Sequence, residues 1–124
     1  MQKNQPIQER LAQHPLALLY LSQPNCSICV ADKPRIQTLA QTLAQTQQLP
    51  LFTINTLTEP EAASLFSVLT VPVVLLFANG KEVHREARII DFTRLTQQIL
   101  RYQEALTSVE EQDSYESLFD QLDE

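Results

Sequence analysis

Only one glycine, Gly80, occurs in 124 residues, so almost every turn must be made by residues that carry a Cβ. That excludes several nucleotide-handling and acyl-transfer architectures at once. A phosphate-cradling loop, a dinucleotide-binding G-x-G-x-x-G and a nucleophile elbow each need several glycines close together. The one glycine follows Asn79 and stands between two strand-like runs, Thr70–Ala78 and Lys81–Glu86. Asn-Gly in that setting is the strongest short-range signal of a two-residue hairpin turn. With 44% hydrophobic and 19% charged residues the chain can build a core of ordinary globular type. Its length fits one domain.

The net charge of −6 is unevenly distributed. All nine basic residues lie at or before Arg101, whereas eight of the fifteen acids lie from Glu104 onward. Residues 1–103 therefore carry nine bases against seven acids, a nearly neutral body followed by an acidic tail. Nothing here makes a basic face, so neither nucleic acid nor an anionic membrane is an expected partner. The longest apolar stretches, Leu16–Leu21 and Val71–Ala78, are far shorter than the roughly 18 residues of a membrane helix. The first residues, Met1–Pro6, are polar and lack the apolar region of a secretory signal, so the expected compartment is the cytoplasm.

Periodicity sets the order of elements. A short helix is expected over Pro6–Gln13, with Ile7 and Leu11 on one face. Leu16–Leu21 is continuously apolar, the pattern of a strand covered on both sides. A helix is expected from Cys26 to about Gln48 on the stripe Ile36, Leu39 and Leu43, kinked or broken at Pro34. Leu51–Asn55 reads as a strand, and Thr58 with Glu61 as a capping box opening a helix through about Ser67. The hairpin follows, and Asp91 caps a helix whose buried stripe is Phe92, Leu95, Ile99 and Tyr102. The order α-β-α-β-α-β-β-α predicts an α/β fold around a central mixed four-stranded sheet flanked by helices. In the tail, Tyr115, Leu118, Phe119 and Leu122 fall at helical spacing opposite acids. They predict an extra acidic C-terminal helix from about residue 114. Residues 1–106 are thus expected to form the domain and 107–124 the tail.

The chain has two cysteines, Cys26 and Cys29, in a C-x-x-C spacing directly after the first strand. In a reducing compartment such a pair is more often redox-active or metal-binding than a structural staple. The order strand, Cys26-Ser27-Ile28-Cys29, helix proline Pro34 five residues on, then Val71-Pro72 before Val73–Gly80 resembles the thioredoxin family over about residues 6–106. The resemblance implies a thioredoxin-like fold and a thiol–disulfide oxidoreductase acting on protein disulfides without a bound cofactor, with a thioredoxin reductase as an electron donor. It also implies a redox-active Cys26/Cys29 disulfide and a cis proline at Pro72 packed beside the sulfurs. The backbone of Val71 would pair with an extended substrate segment, main-chain bonds giving affinity with little sequence preference.

Departures from the family pattern are equally specific. Its first strand has no counterpart, and the chain contains no tryptophan. Asn25 precedes the pair and Ser27-Ile28 fills it, where thioredoxins proper carry Trp-Cys-Gly-Pro-Cys. Tyr20 stands where the family has a buried aspartate that moves protons to and from the second cysteine, and Leu51 where a neighbouring lysine is common.

Cysteines three apart at a helix start lie on one side of its first turn, within reach of a disulfide. At the helix N-terminus, free N–H groups and the positive dipole end favour a thiolate at Cys26, the expected nucleophile. Cys29, one turn in, is the expected resolving thiol. Ile28 in place of proline leaves an N–H for sulfur, and Tyr20 in place of aspartate removes a negative charge. Both push the pair towards a more oxidising potential than that of thioredoxin. Cys26, Cys29, His14 and His84 are the only thiol and imidazole ligands, too scattered for a zinc site, and no metal is expected. Both histidines and Lys33 read as solvated surface residues, and Tyr20 as a buried tyrosine in need of one hydrogen-bond partner. The chain is expected to be a monomer, or a dimer through its tail. The rival to the enzyme is a non-catalytic interaction module with the thioredoxin fold that uses the tail helix.

Overall fold

The computed structural model describes residues 6–44 and 48–106. Its elements are α1 (Ile7–Ala12), β1 (Leu16–Ser22), α2 (Ser27–Leu43), β2 (Leu51–Asn55), α3 (Pro60–Leu65), β3 (Val73–Ala78) and β4 (Lys81–Ala87). A last helix, α4, spans residues 92–106. The strands form one sheet in the order β2-β1-β3-β4. β1 runs parallel to β2, with α2 as the crossover that a parallel pair requires, and antiparallel to β3. β3 and β4 form the hairpin, closed by Asn79 and Gly80 at φ 51° and 82°. Both turn residues have positive φ, as a turn that follows the strand twist requires.

The continuous apolar run of β1 is explained by two cores. Ala17, Leu19 and Leu21 face one side, against Leu11 of α1 and Ala62 of α3, with Phe66 just after α3. Leu16, Leu18 and Tyr20 face the other, against Ile36 and Ala40 of α2 and Leu95 and Ile99 of α4. Because side chains alternate across a strand, one apolar hexapeptide serves both layers of an α/β/α sandwich. Each fully buried leucine contributes about 1.5–3 kcal/mol relative to exposure.

Local expectations were met unevenly. Asp91 caps α4: its Oδ1 accepts from Arg94 N at 2.9 Å. Thr58 caps nothing. The residue preceding α3 is Glu59, without a side-chain cap bond, and Pro60 opens the helix. Thr58 Oγ1 donates instead to the Asn55 carbonyl at 3.1 Å, and Asn55 Oδ1 accepts from Leu57 N at 2.9 Å. The Asn55 carbonyl also accepts from Thr58 N at 3.2 Å, so this turn at the end of β2 takes up the Thr58 N–H and hydroxyl that the capping box would have used. α2 runs through Pro34 without a break and ends at Leu43, capped by Ala44, rather than near Gln48. Pro34 and Val30 are both exposed, so the Val30 carbonyl that loses its N–H partner can turn to water. Residues 107–124, with the expected tail helix, lie outside the described residues.

Candidate active site

The end of β1 delivers the chain into a short turn, Gln23–Asn25, in which Cys26 N donates to the Gln23 carbonyl at 3.2 Å. Cys26 is the N-cap of α2, with extended backbone (φ −99°, ψ 110°). Its sulfur takes the role that a serine or aspartate oxygen has at most N-caps. The N–H that reaches Cys26 Sγ is that of Cys29, at 3.1 Å, whereas the sequence pointed to Ile28. Both cysteines are free thiols; Cys26 is half-buried and Cys29 only 2% exposed.

That difference in burial separates the two thiols chemically. Burial, together with the hydrogen bond to Cys26, pushes the Cys29 thiol up to about 11. A backbone hydrogen bond from Gln23 and one from the Tyr20 side chain act in the opposite direction. Tyr20 is fully buried in β1, and its hydroxyl donates to the Cys29 carbonyl at 2.8 Å. Burial and the neighbouring Cys29 and Asp32 push its pKa well above the usual phenolic range, so the phenol is neutral and holds its proton.

Three polar side chains with fixed partners, two of them beside the pair, are not legible in the sequence. Asp32 is buried one turn beyond Cys29 on the inner face of α2, with Arg35 Nη1 at 3.8 Å from Oδ1. A buried carboxylate thus stands on α2 near the pair, close enough for its charge to act on Tyr20, so tyrosine in β1 does not leave this neighbourhood free of negative charge. Gln23 is the second. Its Nε2 donates to Thr56 Oγ1 at 2.9 Å, and it lines two clefts. One, of about 190 Å³, also carries Cys29, Lys33 and Asn55; the other, of about 130 Å³, carries Leu69, Thr70 and Val71. Lys33 therefore lines the cleft on which Cys29 opens, beyond its expected role as a solvated side chain.

The third is Glu86, 1% exposed at the end of β4. It accepts from Arg94 Nε at 2.6 Å, Arg94 Nη2 at 2.7 Å and Asp91 N at 3.2 Å, and shares a 2.6 Å bond with His84 Nε2. Burial alone would raise its carboxyl; the bonds from Arg94 and His84 outweigh it and hold the group below the usual range. His84 is thus half-buried in a structural clamp instead of solvated. His14 is half-buried too, its ring 5.9 Å from that of Phe52. It precedes β1, while the cysteines follow it, so the strand's length of about 20 Å separates them. Among the described residues no group of three or more His, Cys, Asp or Glu could hold a metal ion, and no helix is long and apolar enough to cross a membrane.

The Val71–Pro72 peptide is cis, Pro72 is buried, and the Pro72 carbonyl accepts from Arg88 N at 2.7 Å. Val71 is half-buried and lines the second cleft.

Comparison with known proteins agrees with this architecture. Thioredoxin 1 from the thermophilic eubacterium Thermosipho africanus TCF52B superposes with a TM-score of 0.66 at 27% identity, over 73% of this chain and 98% of that one. Fasciola hepatica thioredoxin superposes with a TM-score of 0.67 at 21% identity, over 77% and 90%. In sequence, the thioredoxin-like protein YdfQ of Bacillus subtilis (strain 168) is 39% identical over 95 residues, which is 77% of this chain and 82% of that protein. The family model for thioredoxin matches residues 2–101. With most of its length accounted for both by that model and by a relative of this similarity, the chain belongs to the thioredoxin family.

Proposed function

We propose that the protein is a thiol–disulfide oxidoreductase that cycles Cys26 and Cys29 between dithiol and disulfide on protein substrates. The supporting observation is the asymmetry of the pair. Cys26 is only half-buried at the N-cap of α2, with an N–H directed at its sulfur, while Cys29 is buried and its thiol pushed up to about 11. A nucleophile must be accessible and its charge stabilised; a resolving thiol must stay protonated and sheltered until a mixed disulfide brings it a target. Cys26 then attacks the substrate disulfide, and Cys29 displaces the substrate from Cys26. An extended substrate segment pairs with the backbone of Val71 beside Pro72, and no cofactor takes part. The working unit is residues 1–106, a monomer in the cytoplasm recharged by a reductase of the thioredoxin-reductase type, with 107–124 as an appended acidic tail.

Equilibrium titration of the pair against thiol buffers, read by alkylation and mass, tests this. A single two-electron transition is expected. Cys29→Ser should accumulate a mixed disulfide with substrate, and Cys26→Ser should form none. Absence of an intramolecular disulfide at every poise would refute the oxidoreductase and leave the interaction module.

A further inference from the structure

Tyr20 and Cys29 meet in a way that gives the tyrosine a part in resolution, and the inference rests on the resolving role proposed for Cys29. The Tyr20 hydroxyl donates to the Cys29 carbonyl at 2.8 Å, which sets the phenol beside this residue, and the Tyr20 side chain is among the neighbours that favour the Cys29 thiolate over the thiol. The carbonyl does not depend on the tyrosine. Cys29 lies in the first turn of α2, so its carbonyl has the Lys33 N–H as its helical partner; Pro34 costs the carbonyl of Val30, not this one. A neutral thiol is a weak acceptor and a thiolate a strong one. One phenolic proton therefore has two destinations, whose ranking reverses when the sulfur ionises.

We infer that the Tyr20 O–H turns from the Cys29 carbonyl to the Cys29 sulfur as that sulfur acquires charge, and serves resolution as a neutral hydrogen-bond donor rather than as a base. In the step itself Cys29 loses its proton to water in the cleft of about 190 Å³ that it lines. Its sulfur attacks Cys26 Sγ, the Cys26–Cys29 bond forms, and the bond from Cys26 to the substrate sulfur breaks. The substrate sulfur leaves as thiolate and takes a proton from water. The pair is oxidised and the substrate cysteine reduced. Tyr20 ends as it began, a phenol, because burial and the charges of Cys29 and Asp32 oppose its ionisation. The titratable groups around the sulfur are Cys26 and Lys33 on α2, Tyr20 on β1, and Asp32, itself paired with Arg35.

The test uses the full chain labelled with ¹³C at cysteine Cβ and tyrosine Cζ. In the Cys26→Ser background, the Cys29 titration is compared with and without Tyr20→Phe, which keeps the ring and removes only the donor. Losing a bond to a charged acceptor should raise the Cys29 midpoint by about one unit, or about tenfold less thiolate at fixed pH. Without the Phe substitution, the Tyr20 Cζ signal should shift at the Cys29 midpoint. In the Cys26-containing protein, release of a bound substrate should slow about tenfold in Tyr20→Phe, with both rate profiles rising in parallel with pH. An unchanged midpoint, or a Tyr20 signal indifferent to Cys29 ionisation, would overturn the inference. So would a release rate that loses its pH dependence in Asp32→Asn but is unmoved in Tyr20→Phe, since the carboxylate would then be the base. The titrations read Tyr20 even if no substrate is turned over, which separates this inference from the oxidoreductase reading.

Discussion

The backbone N–H of Cys29 donates to Cys26 Sγ at 3.1 Å, so the first turn of α2 is capped by one member of the pair and braced by the other. The residue whose sulfur accepts this bond is half-buried; the one that donates is buried. A reagent that attacks thiolates should therefore label the two in sequence. At pH 7 a thiol with a pKa of about 11 is ionised to roughly one part in ten thousand. Iodoacetamide should modify Cys26 at least tenfold faster than Cys29. Labelling of Cys29 should rise about tenfold per pH unit between pH 7 and 10. Peptide mapping after timed quenching checks this, and equal rates at neutral pH would contradict it.

A raised thiol pKa also makes a stability prediction with a definite sign. The unfolded Cys29 ionises near pH 8.5, whereas the folded one keeps its proton until about 11. Across that interval the unfolded state binds fewer protons than the native state, so stability falls as pH rises. The reduced protein should lose stability from about pH 8.5 upward. The disulfide form, with no thiol to titrate, should not share that loss. Urea unfolding of both forms at pH 7, 9 and 10 reads the difference.

Glu86 gives the opposite slope. Held below the usual carboxyl range by Arg94 and His84, it stabilises the fold at neutral pH. That contribution is lost as pH falls below the unfolded value of about 4.3. Glu86→Gln keeps the shape but removes the charge-assisted bonds that tie β4 to the start of α4. It should cost about 1.5–3 kcal/mol at pH 7. The difference from wild type should shrink as the pH is lowered through 4, in urea titrations at each pH.

The fates of Glu86 and Leu16–Leu21 show what a sequence makes legible here. The double-sided burial of β1 was readable because six consecutive apolar residues, of strand length and bounded by turn residues, suit a strand covered on both faces, and Asn79-Gly80 because few turns need two positive φ angles in a row. The thiol pair stood out by its C-x-x-C spacing, and Pro72 only through the resemblance to the thioredoxin family. Glu86 and Asp32 did not, because a charged residue in a strand or helix pattern reads as solvated until its partner is known. For Glu86 that partner, Arg94, arrives from α4. Thr58 misled for the same reason at shorter range: Asn55 competed for the same backbone groups, and local rules do not rank the two. Pro34 kinks or breaks a helix by rule, yet α2 is not broken there, because the face it shares with Val30 is exposed and the freed carbonyl can reach water, and that exposure belongs to the fold.

Gly80 carries a prediction of its own. At φ 82° it is in the left-handed region, and a Cβ there would lie 2.9 Å from Ala12 Cβ, at the end of α1. Gly80→Ala thus meets backbone strain and forces the hairpin turn away from α1 as well. The strain alone is worth about 1–2 kcal/mol. A larger loss is expected than from the same substitution at an open turn, and Ala12→Gly should relieve part of it. A urea midpoint that does not move in Gly80→Ala would mean that the turn tolerates the side chain by shifting.

Leu69 is 96% exposed, an unusual position for a leucine, and it lines the same cleft as Val71. Left in water its apolar surface stabilises nothing in the free protein; covered by a bound peptide it contributes at about 25 cal/mol per Å². If the backbone of Val71 receives substrate, this side chain is covered in the complex. Leu69→Ser should then slow reaction with a folded protein disulfide about three- to tenfold, corresponding to roughly 1 kcal/mol of lost burial. Reaction with a small aromatic disulfide, which needs only the sulfur, should change less than twofold. Leu69→Asp should behave in the same way for a neutral substrate, and worse for an acidic one at low salt. Stopped-flow rates with the two disulfide classes decide the matter. Equal slowing of both would mean that Leu69 acts on the thiols and not on the docked chain.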